Sequence, residues 1–284
     1  MSPAGLQSDG RTSRPGSVES WCLDLVTTTD PGRKFDPPGT PPLDLDEDWD
    51  SAGTPLRIEA PGRPSHLRVV ARAPGVPRPE SLGEPLARAR LFLTFAHHEL
   101  QAAELFAWAV LAFPETPREF RAGLARLARE ELAHRRAYVA HAARLGLEDG
   151  AVPVRDWFWQ RVTACPDPAA FVALQGLGLE GANLEHAARY SRRFREVGDE
   201  VGARVLDAVE ADEIEHVAFA ARWFARFTGQ PLDYDRWRAA LPAPLTPALF
   251  QGQPLNVAAR RSAGMDDAFL SRLAAEPDPG AKRR

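Results

Sequence analysis

The chain has 284 residues, 44% hydrophobic and 26% charged, a balance typical of a protein that folds around a sizeable core. This composition excludes collagen-like and wholly disordered chains. The formal net charge of −4 gives no general attraction to nucleic acids or anionic membranes, so binding to either would need a local basic patch.

The 26 prolines divide the chain into three parts. Fourteen lie in residues 1–90, five in 91–230 and seven in 231–284. Because proline breaks helix interiors, the middle part is the one that can be helical throughout. We therefore predict a proline-rich N-terminal extension over residues 1–86 that wraps a helical bundle at 87–229, followed by short helices and a tail at 230–284.

The N-terminal extension contains few regular elements. Residues 1–16 have the composition of a disordered tail, and Ser17 is a candidate N-cap for a short helix over 17–30. Residues 31–85 are rich in turn signals, with an acidic run at 44–50 and a predicted strand at 67–71.

Four long helices are predicted in the middle part, each bounded by proline, glycine or a capping residue and each free of internal proline. They cover approximately residues 87–113, 117–145, 168–197 and 199–228. At about 1.5 Å per residue each is on the order of 40 Å long, the scale of a four-helix bundle. The sequence thus predicts an all-α, ferritin-like four-helix bundle with short C-terminal helices near 234–241, 256–262 and 267–275.

Targeting and redox signals are few. The N-terminus has no apolar stretch of the kind that opens a secretory signal, so we expect a cytoplasmic protein. No run of 18 apolar residues is present, so no membrane span is expected. The two cysteines, Cys22 and Cys165, form no C-x-x-C pair, which excludes a zinc knuckle or a disulfide framework.

Two Glu-x-x-His motifs carry the chemistry that the sequence indicates. They are Glu131 with His134 on the second helix and Glu213 with His216 on the fourth. Residues three apart on a helix share a face, so each carboxylate and imidazole can reach one metal ion together. A single such motif is more often a solvated pair of side chains.

The repetition of the motif changes this interpretation. Glu99 precedes Glu131 by 32 residues, and Glu180 precedes Glu213 by 33, so two helical hairpins share one pattern. One Glu from each of two helices and a Glu-x-x-His from each of the other two is the ligand set of a di-metal carboxylate site. The predicted metal ligands are Glu99, Glu131, His134, Glu180, Glu213 and His216.

This ligand set also favours particular metals. Carboxylates and imidazoles without a thiolate suit iron or manganese better than copper(I), and zinc usually takes fewer ligands. We assign Glu131 and Glu213 as bridging carboxylates and Glu99 and Glu180 as terminal ones, with one histidine on each metal ion. The predicted cofactor is a pair of iron ions, with manganese as the alternative.

Several neighbouring side chains are candidates for hydrogen bonds to the ligands. Glu130 and Asp212 directly precede the two motif glutamates, and the alternative is that they face water. His98 and His186 could support the site or contact a substrate, but such histidines are more often packing residues. Glu104 lies five residues from Glu99, about 140° away on an α-helix, so both cannot face one site.

The segments that contain these residues resemble the ferritin-like superfamily of di-iron carboxylate proteins. More narrowly, the chain resembles an uncharacterised bacterial ferritin-like family, a domain of unknown function that is distantly similar to tRNA isopentenyladenosine hydroxylases. The segments that carry the resemblance are HHELQAAELFAW at 97–108, EELAHRRAY at 130–138, LEGANLEH at 179–186, GDE at 198–200 and EADEIEHVAFAARWF at 210–224. The resemblance also extends to residues 19–26 near the N-terminus and 253–270 near the C-terminus. The resemblance implies the same six metal ligands. Where related chains have EARGLD, this one has EGANLE at 180–185, so a shared substrate is not implied.

Three functions are compatible with this reading. The first is an O2-activating oxidase or monooxygenase that draws electrons from a separate donor protein and acts on an unknown substrate; the apolar, aromatic surroundings of the ligands favour it. The second is a ferroxidase or iron-storage protein, against which the long extensions argue. The third is a tRNA-modifying hydroxylase, which the acidic net charge disfavours although arginines cluster on the third helix.

Overall fold

The structure, a computed structural model, describes residues 15–39, 49 and 53–277. The described residues form helices joined by loops and contain no β-strand. The predicted terminal tail at 1–16 and the acidic run at 44–50 lie almost entirely outside these residues.

Two short helices precede the long ones: α1 is Val18–Thr27 and α2 is Pro31–Phe35. As predicted, Ser17 caps α1, and its hydroxyl accepts a hydrogen bond from the Ser20 amide at 3.1 Å. Asp30 caps α2, and Pro31 begins it, where proline loses no helical hydrogen bond.

The four predicted long helices are present. The first hairpin consists of α3 (Pro85–Ala112) and α4 (Arg118–Arg144). After α5 (Trp159–Val162), the third helical segment begins as α6 (Pro168–Phe171), passes through a π-helix at Val172–Glu180 and continues as α7 (Gly181–Glu196). The fourth is α8 (Glu200–Thr228), which ends at Gly229 in the left-handed conformation, with φ of 67°.

The C-terminal part adds three short helices: α9 (Tyr234–Ala240), α10 (Val257–Ser262) and α11 (Asp267–Ala274). Arg260 on α10 is fully buried, and its guanidinium donates to both carboxylate oxygens of Glu185 on α7 at 2.7 Å. This buried ion pair fixes the C-terminal segment to the third helical segment.

The hairpins α3–α4 and α7–α8 pack as pairs, and α4 also contacts α8. Phe120 of α4 stacks on Phe219 of α8, with ring centroids 5.7 Å apart. A Cβ on Gly123 would lie 2.3 Å from the Phe219 ring, so a glycine is needed where these helices cross. Nearly every side chain of α3 is buried, which makes it the central helix.

The strand predicted at residues 67–71 does not form. Val69 makes only an isolated parallel bridge with Val154, in which the Val154 amide donates to the Arg68 carbonyl at 3.0 Å. The segments around Val69 and Val154 have no third strand to pair with among the described residues. Residues 67–71 therefore do not form a strand, although their composition favours one.

The N-terminal extension is tied to the bundle by a buried ion pair. Lys34 and Glu104 are both fully buried, and the Lys34 ammonium donates to the Glu104 carboxylate at 2.9 Å. Arg63 also pairs with Glu104 and reaches Asp156 at 3.1 Å. The prediction that Glu104 does not face the same site as Glu99 is consistent with these contacts. Within the described residues, no helix combines the length and apolar character that crossing a bilayer requires.

Candidate metal centre

The six predicted ligands come from the four long helical segments and are all buried. Glu99 lies on α3, Glu131 and His134 on α4, Glu180 at the end of the π-helix, and Glu213 and His216 on α8. Ligand atoms of Glu99, Glu131, His134 and Glu213 lie within 4.8 Å of one another, close enough to hold one metal ion.

Glu131 lies between the two imidazoles. Its Oε2 atom is 3.1 Å from Nδ1 of His134, and its Oε1 atom is 2.8 Å from Nδ1 of His216. Each carboxylate oxygen therefore faces a different histidine.

Glu213 repeats this arrangement from the opposite helix. Its Oε2 atom is 3.2 Å from Nδ1 of His216, and its Oε1 atom is 4.0 Å from Nδ1 of His134. The two imidazole rings lie nearly parallel, with centroids 5.7 Å apart. Two carboxylates thus stand between two imidazoles, and these four side chains together could hold metal.

Three polar atoms at the centre of this cluster are buried without a hydrogen-bond partner in the described part of the chain: Oε1 of Glu131, Oε2 of Glu213 and Nδ1 of His216. Burying polar or charged atoms without partners is costly unless something else pairs with them. The atoms face one another, so a cation between them would pair with all three. The donor set and its unsatisfied atoms therefore fit a metal ion.

The pKa values show how strongly the carboxylates interact. Burial raises the pKa of Glu99 and Glu180 well above the ordinary value, and the nearby charges of Glu131 and Glu213 raise it further. Burial alone would also raise the pKa of Glu131, but the His216 charge, the hydrogen bond from His134 and the His134 charge hold it below the ordinary value. Like charges gathered in a buried space cannot all be ionised without cations.

The pKa values of both cluster histidines are raised, against the effect of burial. Burial lowers the pKa of His134, but its hydrogen bond to Glu131 and the charges of Glu131 and Glu213 raise it to about 9. The pKa of His216 is also raised, because the same two carboxylates outweigh its burial. Without cations, protons on the imidazoles therefore balance the carboxylate charge.

The outer nitrogens of the imidazoles are held by acidic residues of the opposite helix. Nε2 of His134 lies 3.1 Å from Oδ2 of Asp212, and Nε2 of His216 lies 3.0 Å from Oε2 of Glu130. These bonds direct each Nδ1 toward the cluster. Glu130 and Asp212 therefore stand where residues that support the ligands would be expected. Each of them bonds to the histidine of the other helix, which the sequence alone did not indicate.

Glu180 is positioned by a residue that the sequence analysis missed. The Gln175 side-chain amide donates a hydrogen bond to Oε1 of Glu180. The two residues are five apart, which would place them on different faces of an α-helix. They belong to the π-helix, whose backbone hydrogen bonds join residues five apart, so its wider turn brings the side chains together.

Two further side chains near the cluster were also missed. Asn183 donates to Oε1 of Glu213 at 2.9 Å. Tyr138 is fully buried, its hydroxyl has no hydrogen-bond partner among the described residues, and the charge of Glu99 helps burial to raise its pKa. Their spacing was an available signal, because Asn183 lies three residues after Glu180 and Tyr138 four after His134.

His98 and His186 are placed differently from the expectation that they support the metal ligands. Neither makes a hydrogen bond to the six ligands within the described residues. Both line a cavity of about 250 Å³ whose wall includes Glu99 and Glu180. The rings of His98 and Phe158 lie 4.7 Å apart in this wall. Of the two roles expected for these histidines, contact with a substrate is the one that a position in the cavity wall allows.

Together, the fold and the site define an all-helical protein with a buried glutamate–histidine cluster that could bind metal. Residues 40–271 match the family DUF455, described as a protein of unknown function, and the chain belongs to this family. Comparisons with curated proteins and with solved structures gave no significant match.

Proposed function

We propose that this chain is a ferritin-like di-metal carboxylate protein that binds two iron ions, with manganese as the alternative metal. We further propose that it is an O2-activating oxidase or monooxygenase that receives electrons from a separate donor protein. The observation that carries the proposal is the position of Glu131 and Glu213, each with one oxygen toward His134 and the other toward His216.

The chemistry of the donors supports iron or manganese. The group that could hold one ion offers the carboxylates of Glu99, Glu131 and Glu213 and the imidazole of His134, and it contains neither of the two buried cysteines. Oxygen and imidazole donors suit these metals, and copper(I) would favour sulfur ligands. Glu131, Glu213 and the two histidines would hold both ions, and Glu99 and Glu180 would complete the ligand set from the wall of the cavity. When bound, a pair of ferrous ions supplies the electrons that activate O2.

The protein part of the site would orient and shield the reaction. Glu130 and Asp212 hold the imidazoles through their outer nitrogens, so Nδ1 is the nitrogen available to a metal. Buried apolar side chains of α3, including Phe95 and Ala102, line the cavity beside Glu99.

The cavity favours an organic substrate over iron handling alone. A ferroxidase needs a path for iron ions, which polar or acidic side chains would line. Here the space beside Glu99 and Glu180 is lined mainly by apolar and aromatic residues, among them Phe158 and Phe250. Such a lining suits an apolar molecule held next to the reactive centre.

The test is metal loading of the purified chain. Protein exposed to ferrous iron without oxygen should retain about two ions per chain and should consume O2 when it is admitted. The Glu131→Ala variant removes a carboxylate that faces both histidines and should retain less than half as much metal.

Glu215→Ala is the matched control, since Glu215 lies on the same helix as Glu213 but is exposed. It should bind metal as the unaltered chain does. Equal metal content in Glu131→Ala and in the unaltered chain would contradict the proposed site. A particle of many subunits with a mineral core, detected by light scattering, would instead favour iron storage.

A further inference from the structure

The cavity beside the cluster has the form of a binding site for a small organic molecule. Its volume is about 250 Å³, and carboxylates of Glu99 and Glu180 form part of its inner wall. Val76 and Leu249 also line it, and they are 48% and 43% exposed, so they lie at its rim. A molecule entering past this rim would reach the two carboxylates.

The side walls of the cavity are flat and apolar. Phe95 and Tyr190 meet edge to face with centroids 5.5 Å apart, and the His98 and Phe158 rings face each other at 4.7 Å. Trp157 adds a further aromatic wall. Because an apolar cavity of about 150 Å³ holds one benzene molecule, a space of this volume suits one ring or two fused rings.

Arg189 lines the cavity without an acidic partner among the described residues. Arg189 makes no hydrogen bond or ion pair within the described residues, and its Nε atom is buried. Its guanidinium lies 4.9 Å from the centre of the Tyr190 ring. By contrast, the nearby Arg193 donates to Glu196 at 2.6 Å and the buried Arg260 is paired with Glu185.

An anion is the ligand group that this arginine lacks. A buried donor without an acceptor destabilises the protein, and a carboxylate matches the guanidinium with two parallel hydrogen bonds. His186 lies one turn before Arg189 and also lines the cavity. Burial and the Arg189 charge lower the pKa of His186 to about 4, so it is a neutral hydrogen-bonding group at neutral pH.

We infer that the cavity binds a flat, apolar monocarboxylate of one or two fused rings. That this ligand is the substrate rests on the proposed function. The carboxylate lies at Arg189, and the rings lie between Phe95 and Phe158 with their far edge toward Glu99 and Glu180. A neutral molecule leaves the guanidinium unpaired, and an organic cation is repelled by it. A dianionic phosphate ester is disfavoured, because it would bring two negative charges into a mainly apolar cavity where Arg189 can balance one.

The test compares 2-naphthoate with 2-naphthamide on the metal-free protein, by calorimetry or by quenching of tryptophan fluorescence. The two molecules share their rings and differ in charge. The acid should bind roughly ten- to a hundredfold more tightly, as expected for a hydrogen-bonded charge. Equal binding of the two, or tighter binding of 2-naphthyl phosphate than of the acid, would overturn the inference.

A pair of variants assigns the effect to Arg189. Arg189→Met keeps the length of the side chain but removes its charge, and it should reduce the preference for the acid to near unity. Arg192→Met is the control, because Arg192 is exposed on the same helix and does not line the cavity; it should keep the preference. An unchanged preference in Arg189→Met would contradict the assignment.

The outcome is separable from the metal hypothesis. Selective binding of the acid by a chain that retains no iron would remove the proposed function while leaving the carboxylate site in place. Iron binding without any preference for the acid would remove only the inferred substrate class.

Discussion

The imidazole of His216 on α8 is held by a carboxylate of α4, with its Nε2 atom 3.0 Å from Oε2 of Glu130. The reciprocal bond joins His134 of α4 to Asp212 of α8. Each helix thus orients the histidine of the other, so the geometry of the cluster depends on the packing of α4 against α8.

Removing these crossing bonds should weaken metal binding without unfolding the chain. Glu130→Ala and Asp212→Ala each free one imidazole, and we expect the affinity for ferrous iron to fall about ten- to a hundredfold. The side chains of Glu130 and Asp212 are 42% and 59% exposed, so little packing is lost. Competition with a chelator measures the affinity, and Glu215→Ala is the control. An unchanged affinity would show that the bonds do not orient the ligands.

Metal binding should release protons. The raised pKa of His134, about 9, means that its imidazole is protonated in the metal-free protein at neutral pH. A protonated imidazole cannot bind a metal ion, so the apparent affinity should increase as the pH rises toward 9. Calorimetry in two buffers with different ionisation enthalpies counts the protons. Binding without proton release would contradict the raised pKa.

The same shift has a consequence for the stability of the metal-free protein. A pKa above the ordinary value means that the folded state favours the protonated histidine. The contribution of His134 to stability is therefore present below about pH 6.5 and is lost as the pH rises through about 9. Urea unfolding of the metal-free protein across this range should show falling stability. A constant or rising stability would oppose this linkage.

Gly176 should be sensitive to a single added methyl group. A Cβ at this position would lie 2.3 Å from Cβ of Ala220 on α8. Alanine normally stabilises a helix relative to glycine by up to about 1 kcal/mol, but here we expect Gly176→Ala to destabilise the protein by about 1–3 kcal/mol. The π-helix would also shift and carry Glu180 with it, lowering metal affinity.

Gly83→Ala is the matched control for this prediction. A Cβ at Gly83 would meet no neighbouring atom of the described residues within 4 Å, and the φ of Gly83 is not positive. Urea unfolding should show little change for this variant. A Gly176→Ala protein that is more stable than the unaltered chain would mean that α8 and the π-helix are not in close contact.

The buried ion pair of the N-terminal extension should contribute to the stability of the bundle. Lys34→Met removes the ammonium that donates to Glu104 and to the carbonyl oxygens of Leu25 and Val26. Among the described residues Glu104 would then keep Arg63 as its one cationic partner, and the loss should cost on the order of 3 kcal/mol of unfolding free energy.

An exposed ion pair of the same extension provides the comparison. Arg33→Met breaks the ion pair between Arg33 and Asp24, whose side chains are 56% and 28% exposed respectively. This change should lower the unfolding free energy by less than about 1 kcal/mol. Denaturant unfolding measures both variants. Equal small losses would show that residues 15–39 are not energetically coupled to the bundle.

Local signals made much of the fold predictable. Proline, glycine and capping residues mark the ends of the four long helical segments, because they act on backbone hydrogen bonds within a few residues of where they stand. The i,i+3 spacing of Glu131 and His134 likewise places two side chains on one face without reference to any other segment.

Side chains that meet through less regular geometry were not predictable. Gln175 reaches Glu180 only because that segment winds as a π-helix, and nothing in an α-helical pattern indicates the contact. The strand expected at residues 67–71 is absent for a related reason. The preference of its residues for extended backbone is local, but a strand also needs a partner, and in the described residues Val154 provides a single bridge.

The sequence by itself determined which residues could serve as ligands and on which helices they lie, since helical periodicity is a property of the chain. The tertiary structure decided what surrounds them: the crossing of Glu130 and Asp212 to the opposite histidines, and the cavity in which Arg189 has no hydrogen bond or ion pair with any described residue. These features arise between segments far apart in the chain, where the packing of whole helices sets the distances.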